Sequence, residues 1–190
     1  MSGTIHRALK IRLYPNKEQE TQILKTLGSC RFLYNQMLAE RIKTYDEWKA
    51  SGEDVRKLYE HQYKTEKQYK QEFEWLSEVD SISLQQSRID LSMAYQNFFR
   101  SLKGKRKGEK VGFPKFHKRG QKDSYRTLNL GTNVSINYET RKVKLPKLGW
   151  VNYRDLRKNI KGEIKQATVS RTKTGKYFVS ILFEQELELE

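Results

Sequence analysis

Over the first stretch of the chain Ile5, Leu9, Ile11 and Leu13 share one parity, while His6, Lys10 and Arg12 share the other; Arg7 breaks the pattern. A period of two predicts a strand with one basic face. Tyr14, Pro15 and Asn16 end it, and Asn16 followed by Gln19 has the spacing of a helix N-cap with its reciprocal partner. Apolar spacing then lengthens to three, four or seven: Leu24, Leu27, Tyr34, Leu38 and Tyr45 fall on one stripe of a helix running to about Trp48, before Ser51 and Gly52 interrupt it. A very polar stretch from about Asp54 to Phe73, with Tyr59, Tyr63 and Tyr69, predicts a second helix from a weak pattern. A third is predicted from about Ser83 to Leu102, burying Leu84, Leu91, Tyr95, Phe98 and Leu102. Its opposite stripe, Gln85, Arg88, Ser92, Gln96 and Arg100, fits either a surface laid against DNA or an ordinary solvated face.

The remainder reads as short strands: Val134 to Asn137, Val143 to Leu145, Trp150 to Arg154, Ile164 to Arg171 and Tyr177 to Glu184. Lys173, Thr174 and Gly175 close the last pair as a hairpin. In the final strand Tyr177, Val179, Ile181 and Phe183 share a face while Phe178 and Leu182 occupy the other, which predicts burial on both sides and a central position. The simplest packing of strand, helices and strands returns the first strand to the later sheet. The expected fold is α+β: a β-barrel or curled sheet interrupted by a helical insertion, with a first barrel strand at 1–15, a helical lobe at 16–103, and a basic loop with the remaining barrel strands at 104–190. The alternating Glu184, Glu186, Glu188 and Glu190 make an acidic end, read as a linker or strand edge.

Charge narrows the partner. The 190 residues carry 38 Lys plus Arg against 23 Asp plus Glu, a formal +15, which points to a polyanion. No apolar run long enough to span a membrane and no signal-peptide stretch occurs, so a soluble cytoplasmic protein is expected, with nucleic acid rather than membrane as partner. Eleven Lys or Arg fall between Arg100 and Arg126 against Glu109 and Asp123, more than half of the excess. Four glycines prevent a continuous helix there, and Phe113, Phe116 and Tyr125 interleave with the cations. Cations for phosphates and rings for bases suit a flexible nucleic-acid-binding loop. Cys30, the single cysteine, sits beside Phe32 and Leu33 and reads as a core residue.

No catalytic constellation emerges. His6, His61 and His117 have no metal-ligand spacing, and no phosphate-cradling glycine loop or nucleophile elbow is present. The Asp residues at 46, 54, 80, 90, 123 and 155 sit in polar helices or loops, where capping and surface pairing explain them better than a two-metal cluster. Neither a metal nor another cofactor is expected.

Eight segments in order, RALKIRLYP (7–15), CRFLYNQMLAER (30–41), WLSEVDSISLQQ (75–86), AYQNFFR (94–100), VGFPKFHK (111–118), SYRT (124–127), VKLPKLGWV (143–151) and the hairpin of 169–184, resemble the N-terminal half of TnpB-type transposon-encoded RNA-guided nucleases, relatives of Cas12. The resemblance implies a wedge barrel of the oligonucleotide-binding type and an inserted helical recognition lobe, which hold a guide RNA and read a short transposon-adjacent motif in double-stranded DNA. It implies motif reading by Ser81, Ile82 and Gln85, with Arg88 beside them, and by Leu128, Asn129 and Leu130. Ser81 stands where a Lys can occur, so the preferred motif is expected to differ. RNA or phosphate contacts are expected from Arg7, Lys10 and Arg12, from Lys103, Lys105, Arg106 and Lys107, and from Phe113, Lys115, Phe116, Lys118, Arg119, Tyr125 and Arg126.

TnpB proteins continue into a RuvC-type nuclease domain with an embedded zinc ribbon, and the family's catalytic residues are expected to be missing here. The expected role is therefore non-catalytic binding. The alternative is a truncated, anti-CRISPR-like regulator that competes with an intact TnpB or Cas12 nuclease. A half completed in trans by a separate RuvC chain and a plain DNA-binding regulator are further readings. The long uninterrupted first helix argues against a helix-turn-helix, which needs a tight turn between short helices.

Overall fold

The computed structural model describes residues 3–121, 123–155 and 159–187. Lys122 of the basic segment and Glu188 and Glu190 of the acidic end lie outside them. The elements run β1 (Gly3–Tyr14), α1 (Lys17–Ser51), α2 (Val55–Glu60), α3 (Glu66–Glu72), a 3-10 turn (Glu74–Glu78), α4 (Ser81–Leu102), β2 (Ser124–Leu128), β3 (Ser135–Asn137), β4 (Lys142–Leu145), β5 (Gly149–Arg154), β6 (Glu163–Arg171) and β7 (Tyr177–Leu187). The chain is α+β, with its helices inserted between the first strand and the rest.

The strands form one antiparallel sheet in the order β2-β6-β7-β1-β5-β4-β3. β1 does return to the later sheet, lying between β7 and β5. Its period of two buries Leu9, Ile11 and Leu13, and Leu9 and Ile11 face Ile181 and Val179 across the β7 ladder. β7 is internal, as its two-sided pattern predicts, although Phe178 and Leu182 are only half-buried.

The expected barrel is not confirmed, because the sheet does not close: β2 and β3 are its edges. Side chains take up backbone groups between them. Asn129 donates to the Ile164 carbonyl (2.9 Å) and accepts from the Val134 amide (3.1 Å), and Asn133 donates to the Leu128 carbonyl (2.9 Å). Tyr138, just after β3, reaches Ile160, just before β6, donating to its carbonyl at 2.7 Å.

The Asn16–Gln19 capping box forms as predicted. Gln19 also donates to the carbonyls of Leu148 (3.2 Å) and Trp150 (3.0 Å), and the Tyr177 hydroxyl donates to Glu20 (2.9 Å), which fixes α1 against the sheet. The buried stripe of α1 is Ile23, Leu27, Cys30, Leu33, Tyr34, Met37 and Leu38; Leu24 and Tyr45 are exposed. The polar stretch 54–73 is two short helices rather than one. Asp54 caps α2, and a Thr65–Gln68 capping box restarts the chain as α3. β2 overlaps the end of the stretch expected to be a basic loop, with Tyr125 and Thr127 facing inward.

Candidate nucleic-acid interface

Asp80 sets the geometry at the start of α4. Its carboxylate accepts from the Ile82 amide (3.2 Å) as an N-cap, from the Ser83 hydroxyl (2.8 Å), and from the Thr127 hydroxyl on β2 (2.6 Å). Asp80 and Thr127 are both buried. This clasp joins the helix start to the end of β2, and so brings together the two segments expected to face DNA, one following Asp80 and the other following Thr127. Ser81 and Gln85 are exposed and Ile82 is half-buried. Leu128 is half-buried and Leu130 exposed. Asn129 differs, because both ends of its amide are engaged, one with the Ile164 carbonyl on β6 and the other with the Val134 amide before β3. Arg88 is exposed, but its guanidinium pairs with Glu66 of α3. Of the rest of the polar stripe, Gln96 and Arg100 are exposed and Ser92 accepts from Arg41.

The basic loop is irregular but tethered. Phe113 packs edge-on against Tyr95 and Phe98, each at 5.4 Å between centroids, and Pro114 is buried. His117 stacks on Tyr34 at 3.8 Å, while Asn35 donates to its carbonyl (2.9 Å) and accepts from its amide (2.8 Å). Asp123 closes the segment between Arg31 (3.7 Å) and Arg171 (3.9 Å). Between these anchors Lys103, Lys105, Lys107, Lys115, Lys118 and Arg119 are exposed, as is Phe116. Arg106 is half-buried and donates to the Glu109 carbonyl (2.6 Å).

Two residues of the expected interface are placed otherwise. Tyr125 is buried against α1, where its ring packs in the core and cannot stack on a base. Arg126 pairs with Asp90 of α4 at 3.2 Å, joining β2 to that helix. On β1, Arg7 and Lys10 are exposed, Lys10 over the Phe178 ring, and Arg12 is half-buried over Tyr14. The face of the sheet that carries Lys10 and Arg12 also carries Lys142, Lys144, Trp150 and Arg154, which reasoning by segment missed. The alternation of KVKL and GWVNYR was the available signal.

Burial pushes the Cys30 thiol up to about 12, against a smaller opposing effect of its hydrogen bond to Ser87. Burial likewise raises the Tyr125 hydroxyl. Among the described residues no group of three or more His, Cys, Asp or Glu side chains could hold a metal ion, and no helix is long and apolar enough to cross a membrane.

Residues 1–50 match the model of a family described as a helix-turn-helix domain. In this chain those residues hold β1 and nearly all of α1, one continuous helix with no intervening turn. The chain is 35% identical over 184 residues to a putative RNA-guided DNA endonuclease, InsQ, of Escherichia coli (strain K12), covering 95% of this chain and 41% of that protein. It is 29% identical over 189 residues to a putative RNA-guided DNA endonuclease of Streptomyces pristinaespiralis, covering 98% of this chain and 44% of that one. It is also 32% identical over 97 residues to the virulence protein VsdF of Salmonella dublin, covering 49% of this chain and 82% of that protein. The chain therefore spans less than half the length of the two endonucleases. Over most of its residues it is a homologue of the TnpB-type putative RNA-guided DNA endonucleases, corresponding to their shorter N-terminal part.

Proposed function

We propose that this chain is a nucleic-acid-binding part of a TnpB-like protein, holding a guide RNA and reading a short transposon-adjacent motif in duplex DNA. The observation that carries the reading is the Asp80–Thr127 clasp, which joins the two candidate motif-reading segments beside the exposed Gln85. A Gln amide can bridge the N6 and N7 edge of adenine, whereas phosphate contacts fix register without carrying sequence. The loop cations between Lys103 and Arg119 supply such phosphate contacts. Binding rather than cleavage is assigned to these residues because their carboxylates already have structural work: Asp54 and Asp80 cap helices, Asp90 pairs with Arg126, and Asp123 lies between Arg31 and Arg171.

The test separates the two kinds of interaction. Lys115→Ala with Arg119→Ala should weaken binding to all duplexes alike and reduce the slope of log K against log salt by about 0.9 for each phosphate no longer neutralised. Gln85→Ala should instead change preference among duplex sequences by about 1–3 kcal/mol. An unchanged salt slope would remove the loop from the interface, and equal losses on every sequence would defeat base reading by Gln85.

A further inference from the structure

Gly28 lies in the interior of the 35-residue helix α1, where glycine weakens a helix relative to alanine. A Cβ added there would meet nothing nearer than the Arg31 guanidinium at 3.9 Å, so packing within the chain does not require the glycine. It lines a groove of about 590 Å³ together with Leu24, Phe32 and Trp75. Leu24 is 40% exposed and Trp75 43% exposed, while Phe32 is fixed by edge-on contacts with Phe73 and Trp75 at 4.9 and 4.8 Å. The cations of the groove are already matched: Lys25 pairs with Glu78 at 2.9 Å, and Arg31 with Asp123 at 3.7 Å. In a chain of formal charge +15, an apolar surface whose charges are paired suits a protein partner rather than a polyanion.

We propose that this groove is a self-association surface, and that its occupant is α1 of a second copy of the chain. Leu24 and Phe32 stand four residues before and four after Gly28, so the three share one stripe of the helix. The spacing is symmetric about Gly28. Two copies of α1 crossing antiparallel at Gly28 therefore set Leu24 of each against Phe32 of the other, as a two-fold, self-complementary interface requires. The absent Cβ lets the two helices approach closely at the crossing. Lys25 and Arg31 do not oppose this contact, because each is paired with an acid of its own copy. The rest of each copy is basic, so pairing works against long-range repulsion and strengthens as salt screens it. Nucleic-acid binding weakens with salt, so the two interactions respond in opposite directions. The inference does not depend on the nucleic-acid-binding reading above.

Sedimentation equilibrium of the full chain, freed of nucleic acid by nuclease digestion, tests it. A monomer–dimer equilibrium in the micromolar range is expected, tightening severalfold as salt rises from about 0.1 M to about 0.5 M. Gly28→Ala should weaken the dimer about tenfold, since a methyl group from each copy enters the crossing. The same variant should raise the melting temperature of the monomer by about 2 °C, because alanine is the better helix former. The opposite signs separate loss of the interface from loss of the fold. Leu24→Gln, at an exposed helical position, should weaken the dimer by a similar factor. A photoreactive side chain placed at position 24 should crosslink to Phe32 or its neighbours in a second copy. A monomer at every concentration and salt, or parent-like dimerisation in both variants, would overturn the proposal. Crosslinks confined to a different protein in host lysate would assign the groove to that occupant, and a dimer that forms only when nucleic acid is present would assign the pairing to bridging; either result overturns it.

Discussion

Replacing Asp80 by Ala removes several functions at once, so its cost can be built from parts. Loss of the α4 N-cap costs about 1 kcal/mol. The hydroxyls of Ser83 and Thr127 also lose a charged acceptor, at 2.8 and 2.6 Å, and such hydrogen bonds contribute about 1.5–3 kcal/mol each. Ser83 can turn to its own helix, so we expect a total of about 4 kcal/mol, near 10 °C in melting temperature for a chain of this size. Thr127→Val keeps the shape and strand preference of the side chain and should cost about 2 kcal/mol. The decisive quantity is the coupling between the two positions. In a cycle of single and double variants, measured by urea unfolding followed by circular dichroism, the double variant should lose about 2 kcal/mol less than the two single variants together. Additivity to within about 0.5 kcal/mol would refute the claim that the clasp joins α4 to β2.

Other consequences follow from separate parts of the molecule. Cys30, buried with its thiol pushed up to about 12, should resist iodoacetamide at about pH 8 in the native chain and react once urea unfolds it; rapid native labelling would contradict the packing. A Cβ at Gly162, where φ is +130°, would sit 2.5 Å from the Glu184 carbonyl oxygen, so Gly162→Ala should cost about 2 kcal/mol or more in urea unfolding, and a neutral substitution would contradict that close approach. Lys165, and then His6, hold the Glu184 carboxylate below its ordinary value, so its contribution is present above the ordinary carboxylate range and is lost as pH falls through it and below. Glu184→Gln should flatten that acid limb of melting temperature against pH, and parallel curves would refute the assignment. Asn35→Ala should free His117 and weaken nucleic-acid binding severalfold while leaving the salt slope unchanged, since every loop cation remains; a changed slope would mean that the tether also places cations on phosphates.

Much of the architecture was legible because it rests on local patterns. The parity of Ile5 to Leu13, the Asn16–Gln19 spacing and the two-sided pattern of 177–183 each correspond to an observed element in its expected place. What stayed hidden depended on neighbours distant in sequence. β2 was obscured because its basic flanks dominate composition, although Tyr125 and Thr127 alternate with Ser124, Arg126 and Leu128. The start of α4 lies two residues before the expected Ser83, since Asp80 reads in sequence as one of several surface acids rather than as a cap that also holds Thr127. The α1 stripe does not extend to Leu24, which borders a groove with Phe32 and Trp75 that no periodicity reveals. The chain's path after β2 depends on side chains too: the Asn129 amide donates to the Ile164 carbonyl on β6 and the Asn133 amide to the Leu128 carbonyl, contacts that no periodicity reveals.

The excess of positive charge is sorted by position, and the sorting bears on function more than its size does. The carboxylates with the most structural work sit at joints: Asp80 between α4 and β2, Asp90 between α4 and Arg126, Glu66 between α3 and Arg88, and Asp123 among α1, the basic loop and β6. Three of them, Asp90, Glu66 and Asp123, hold guanidiniums that compositional reasoning would count toward the partner. Cations away from those joints stand on surfaces already fixed by rings and tethers, Lys115 between Phe113 and His117, and Arg12 with Arg154 over Tyr14. A polyanion meeting a preorganised surface costs the protein less conformational freedom than one that must order a free loop. The same packing that fills the core therefore also determines which of the 38 basic residues are available to bind.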